Sequence, residues 1–182
     1  MTNVDDQKQI YIVISQTGTI LSKLLKMFTG AEYNHASLSF VDDLSVMYSF
    51  GRLNAYNPFW AGFVTESKNF GTFKRFNNTK VKVLSIDVSG EKYFGMCRKL
   101  EQMISQKKNY RYNYFGLWLA VFNICIKMKN RYYCSEFVRE MLVSFDIDGS
   151  KELEGIVHPM SFTKIPDAKT VYCGKLKDYS LD

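Results

Sequence analysis

The segment Tyr132-Tyr133-Cys134-Ser135-Glu136-Phe137-Val138 constrains this chain most, because it sets a cysteine in the first turn of a strongly patterned helix. Phe137, Val138, Met141, Leu142 and Phe145 follow at the i, i+1, i+4, i+5, i+8 spacing of a helix with one buried face. Cys134 lies at the N-terminal end of that face. Unpaired backbone N–H groups and the positive end of the helix dipole favour thiolate over thiol there, and the thiolate is the form that attacks a carbonyl carbon. The position suits a nucleophile. It suits a packing residue equally well, since free cysteine is among the most buried residue types.

The chain holds two histidines that could serve such a thiol. His35 stands in Tyr33-Asn34-His35-Ala36-Ser37-Leu38-Ser39-Phe40-Val41, where Ala36, Leu38 and Phe40 alternate with Ser37 and Ser39, the period-two pattern of a strand with one apolar and one polar face. Asp42-Asp43 supplies turn chemistry and Val46 to Phe50 reads as the return strand of a hairpin. His158 precedes Pro159, which biases it to an extended conformation in a loop, and it is the weaker candidate.

A strand histidine followed, far along the chain, by Tyr-Cys-Ser-Glu-Phe-Val resembles the circularly permuted, NlpC-type papain-like cysteine hydrolases, the YaeF/YiiX-like group, in which histidine precedes cysteine. The strand from Ile10 to Ser15, Tyr112-Asn113-Tyr114-Phe115-Gly116-Leu117, and Val157-His158-Pro159 extend the likeness over roughly residues 10 to 165. The resemblance implies an α+β fold, an antiparallel sheet or partial barrel packed against a nucleophile-bearing helix. Members commonly carry a polar residue, often Glu, on the strand after the histidine, to orient the imidazole as the third member of a triad does. Val46 to Phe50 contains no carboxylate. Tyr48 or Ser49, a backbone carbonyl, or a residue from elsewhere such as Glu66 is left to take the role.

The resemblance further implies acyl transfer. Cys134 would attack an amide, ester or thioester carbonyl while His35 accepts and returns the proton. The Cys134 N–H, with a donor from Gln16, Thr17 or Asn34, would hold the oxyanion, and Ser135 and Trp60 would contact substrate. The first expectation is a cysteine amidase or peptidase acting on a cell-wall peptide or N-acyl substrate. The alternatives are a lipid-directed thiol acyltransferase or lipase, and a binding module with a disabled site, whose motive is the missing strand carboxylate.

A chain of 182 residues, 46% hydrophobic, is read as one domain over 1–182, with a polar, loose tail at 178–182. Its four cysteines show no metal-ligand spacing, so neither metal nor cofactor is expected. The N-terminus lacks a basic-then-apolar leader, which points to a reducing cytoplasm. Tyr114 to Ile126 is apolar but, at about 13 residues, short of the roughly 20 needed to cross a bilayer. It reads as a buried core helix, with an interfacial helix as the alternative. The net charge of +6 reads as scattered over solvated faces, with a weak pull on anionic partners and no specific nucleic-acid site.

The remaining pattern predicts a helix over 19–28, an aromatic loop over 54–67 through Asn57-Pro58 and Gly62 whose Asn54, Tyr56, Phe59, Trp60 and Phe63 either wall a substrate site or plug the core, and strands over 70–76 and 80–88. A helix capped by Ser89 follows over 90–106 with Tyr93, Cys97, Leu100, Met103 and Ile104 inward, and the last strand covers 170–176.

Overall fold

Ile10, Ile12 and Ile14 alternate with Tyr11, Val13 and Ser15, and all six are buried. A strand buried on both faces has to lie inside a sheet that is covered on both sides. The computed structural model describes residues 6–17, 32–54, 57–122 and 124–180 and places this strand, β1 (Gln7–Gln16), in the interior of a six-stranded sheet. The other strands are β2 (His35–Ser39), β3 (Met47–Asn54), β4 (Asn57–Glu66), β5 (Lys80–Ser89) and β8 (Lys169–Lys175). Their order is β4-β3-β2-β1-β5-β8, antiparallel throughout. A two-stranded parallel ribbon joins β6 (Arg111–Tyr112) to β7 (Arg131–Tyr132). The helices are α1 (Gly71–Arg75), α2 (Gly90–Ser105), α3 (Tyr114–Val121) and α4 (Cys134–Ser144). The architecture is α+β. The helix expected over 19–28 lies outside the described residues, as do Tyr56 and the Phe59 side chain.

One sheet face, with Ile10, Ile12, Ile14, Leu38, Phe50 and Phe63, packs on Met96, Leu100 and Met103 of α2 and on Phe137, Val138, Met141 and Leu142 of α4. The Phe137 ring lies 5.5 Å from that of Phe50 and 5.8 Å from that of Phe63. On the second face Val13, Met47 and Val83 meet Phe73 of α1, Leu176 and Tyr179. The serine side of β2 therefore does not face solvent: Ser37 and Ser39 are fully buried. Residues near the C-terminus are also pinned rather than loose as far as Tyr179, whose hydroxyl donates to the Asp42 carbonyl at 2.7 Å.

Further sequence expectations need correction. The aromatic loop over 54–67 is largely strand β4, in which Pro58 is tolerated because β4 lies at the margin of the sheet. The strand over 70–76 is the short helix α1, entered through Gly71 at φ 63° and burying Phe73. In α2, Ser89 caps as expected, accepting from the Lys92 N–H at 3.4 Å, but the buried line is Gly95, Met96, Leu100 and Met103, with Ile104 exposed.

The apolar stretch from Tyr114 is not core. Phe115, Trp118 and Phe122 are 61%, 67% and 65% exposed. They share one side of α3 at i, i+3 and i+7, and the short helix turns its opposite side, at Gly116, toward the body. Among the described residues no helix is long and apolar enough to cross a membrane.

This assignment of core and surface has a direct consequence. Phe137→Ala should lower unfolding stability by about 3–5 kcal/mol in urea titrations, whereas Phe115→Ala should stay within about 0.5 kcal/mol of the parent. Comparable losses in the two variants would contradict it.

Candidate active site

Three elements converge at one end of the sheet. β2 starts with His35, β4 ends with Glu66, and α4 starts with Cys134. α4 packs across β2 and β3. Its entry is fixed by backbone chemistry: the Tyr133 N–H donates to Glu136 Oε2 at 3.3 Å, tying down a donor that the helix start leaves without a partner. Asn113 Nδ2 reaches the same carboxylate at 3.4 Å, while Asn113 Oδ1 accepts from the Gly116 N–H at 2.9 Å and so caps α3. One buried side chain thus fastens α3 to the cysteine helix. A Cβ on Gly116 would collide with Asn113, so the close approach requires glycine there.

His35 Nε2 lies 3.0 Å from both carboxylate oxygens of Glu66. Ser37 Oγ donates to Glu66 Oε2 at 2.6 Å and lies 3.3 Å from His35 Nε2. With Nε2 occupied by the carboxylate, Nδ1 is the nitrogen left for Cys134, which lies near enough to the imidazole for each group to shift the pKa of the other. Phe73 of α1 stands beside the ring, centroids 6.4 Å apart. Gly51 of β3 lies against it; a Cβ there would sit 3.3 Å from His35 Cε1 and 3.4 Å from Glu66 Oε1.

Burial acts against charge on both reacting groups, and the neighbours overturn it. For His35, burial lowers the pKa, but the Glu66 charge, hydrogen bonding with Cys134 and Glu66, and the charge of the sulfur raise it from 6.5 to about 10. For Cys134, burial raises the pKa, but the hydrogen bond and charge of His35 and backbone hydrogen bonds from Ala36 and Ser135 bring it below that of an ordinary thiol. Both shifts favour the thiolate–imidazolium form of the pair. Cys134 is 6% exposed, and the side chains of His35 and Glu66 are 16% and 9% exposed, so the pair stands just beneath the surface.

The other sequence candidates divide. Ser49 does not orient the imidazole, because its buried hydroxyl donates to the Ala36 carbonyl at 2.7 Å. Tyr48 belongs to the opposite, helix-facing core, stacked on Phe63 at 6.5 Å. Ser135 spends its hydroxyl on the Val157 carbonyl; what it offers the site is its backbone N–H, directed at the sulfur.

The Asn34 N–H is bonded to the Ser15 carbonyl at 3.2 Å, and its carbonyl lies 3.9 Å from Cys134 Sγ. Gln16 and Thr17 are half-buried at the end of β1, the strand paired with His35 through Ser15. Trp60 is exposed on β4. His158 is exposed and heads the 3-10 turn Pro159–Lys164.

Two groups went unassigned in the sequence. Ser15 pairs across the ladder with His35, is fully buried, and has no hydrogen-bond partner for its hydroxyl among the described residues. The Tyr112 phenol has its pKa pushed well above 10, first by burial and then by the nearby Cys134 charge. Among the described residues no cluster of His, Cys, Asp or Glu could hold a metal ion.

No protein-family model, curated protein or solved structure matches this chain.

The charge arrangement predicts the pH profile of the thiol. Iodoacetamide should modify Cys134 well below the free-thiol pKa of about 8.5. Glu66→Gln removes the largest influence holding His35 charged, so the imidazole pKa falls, the thiolate loses its counter-charge, and the alkylation midpoint should rise by about one to two pH units. An unchanged midpoint in Glu66→Gln would remove Glu66 from the site.

Proposed function

We propose that this chain is a cysteine-dependent hydrolase of permuted papain-like type that cleaves an amide or peptide bond through an acyl-enzyme. The observation that carries this reading is the convergence of Cys134, His35 and Glu66, with the sulfur 3.9 Å from the Asn34 carbonyl next to His35 and both Glu66 oxygens 3.0 Å from His35 Nε2. The order along the chain, histidine before cysteine, agrees with the permuted group.

In this mechanism the Cys134 thiolate adds to the substrate carbonyl. The negative oxygen that forms is met by donors at the start of α4, where the Cys134 N–H has no helical partner, and by Tyr112 or a donor from Gln16, Thr17 or Asn34. Loss of charge from sulfur frees the imidazolium to protonate the leaving nitrogen, which expels the amine and leaves a thioester. Neutral His35 then takes a proton from water as the water attacks, and cysteine departs as thiolate. Glu66 stabilises the imidazolium through both stages and holds Nε2–H, keeping Nδ1 toward sulfur.

A degenerate binding module loses its motive, since the carboxylate missing from β3 is supplied by β4. A lipid-directed acyltransferase or lipase stays as the second reading, because Phe115, Trp118, Phe122 and Trp60 are exposed.

Turnover of a panel of muropeptides, N-acyl amino acids and phospholipids tests the reading. His35→Ala should lower turnover of the accepted class by about 10²–10⁴-fold, and Cys134→Ala should abolish the thioester adduct detected by mass spectrometry. Hydrolysis that survives Cys134→Ala at the parental rate would defeat the proposal.

A further inference from the structure

The net charge of the whole chain, +6, resides in one stretch. Between Gln102 and Ser135 stand Lys107, Lys108, Arg111, Lys127, Lys129 and Arg131, with no Asp or Glu, so the rest of the chain is formally neutral. The surplus is thus concentrated, not scattered as the sequence reading had it. Five of the six are exposed and Arg131 is half-buried. None forms an ion pair among the described residues.

The same stretch carries the exposed row of α3. The Trp118 and Phe122 rings stack 6.4 Å apart, and Ile124 and Ile126 continue the apolar surface beyond the helix. Cations are interleaved with it: Lys127 and Lys129 alternate with Ile126 and Met128, all exposed. The β6–β7 pairing sets Arg111 beside Arg131.

We infer that this face docks peripherally on an anionic lipid bilayer, α3 with Phe122, Ile124, Ile126 and Met128 entering the interface while the lysines and arginines of the same stretch meet phosphate headgroups. Aromatic and aliphatic side chains on one side of a short helix, in a stretch of chain that carries six cations and no acid, match what the boundary between headgroups and acyl chains accepts. A second copy of the chain fits poorly, because a symmetric contact would bring the same six cations together. An eight-residue helix lies in the interface rather than spanning the bilayer.

Asn113 links α3 to Glu136 of α4, and β7 runs directly into Cys134, so docking would hold the thiol at a fixed position beside the membrane. The inference goes beyond the acyl-transfer reading and holds whether or not the thiol turns over substrate.

Co-sedimentation of the full chain with phosphatidylcholine vesicles, with and without phosphatidylglycerol, tests it. The parent and Cys134→Ala should bind alike, roughly tenfold or more tightly to the anionic vesicles, with binding weakened by salt. Trp118→Ser/Phe122→Ser and Lys127→Glu/Lys129→Glu, each checked for parental circular dichroism, should both lose most of that binding. Docking is overturned by equal binding to both vesicle types, by no binding to either, or by binding that neither pair reduces. It is also overturned if Trp118→Ser abolishes self-association of the chain and leaves vesicle binding unchanged. Loss of hydrolysis in Cys134→Ala with vesicle binding retained separates this result from the fate of the catalytic reading.

Discussion

A protonated imidazole held beneath the surface is the constraint on which the site depends. An unpaired buried charge costs several kcal/mol and would simply lose its proton. His35 keeps it because negative charge meets both ring nitrogens, Glu66 at Nε2 and the Cys134 sulfur on the other side. The three groups depend on one another: the charged ring draws the thiol pKa down, and the carboxylate draws the ring's up. Backbone N–H groups of Ala36 and Ser135 add to the sulfur's side, and Ser37 adds to the carboxylate's.

That dependence explains features of the fold that otherwise look incidental. β3 separates β2 from β4, so Glu66 must reach across a strand to His35, and the crossing is open because Gly51 has no side chain to block it. The serine side of β2 is buried because it carries the hydrogen bonds that hold the ring, the carboxylate and the strand edge, with Phe73 of α1 closing over them.

The helix of Cys134 and the strand of His35 were legible because each has its own periodicity; Ile10 to Ser15 read as a strand, and its place inside the sheet emerged only from its burial on both faces. Glu66 was visible only as a distant option. Asn57-Pro58 and Gly62 read as a loop, and only pairing with β3 turns Phe63-Val64-Thr65-Glu66 into a strand that aims a carboxylate at the imidazole. Tyr48 and Ser49 were chosen for their place in sequence, yet strand alternation sends Tyr48 to the helix side, while Ser49 is consumed by a backbone carbonyl. Composition alone cannot tell a buried apolar helix from one lying on the surface. Eight residues of α3 are too few for the body to wrap, so the outer aromatic row stays uncovered.

The central claim concerns the charge on one ring. With two histidines in the chain, NMR titration of imidazole resonances, assigned with His158→Ala, reads it directly. The account predicts that His35 remains protonated through neutral pH and titrates near 10, far above the ordinary 6.5. Titration of His35 near 6.5, independent of Cys134 and Glu66, would contradict it.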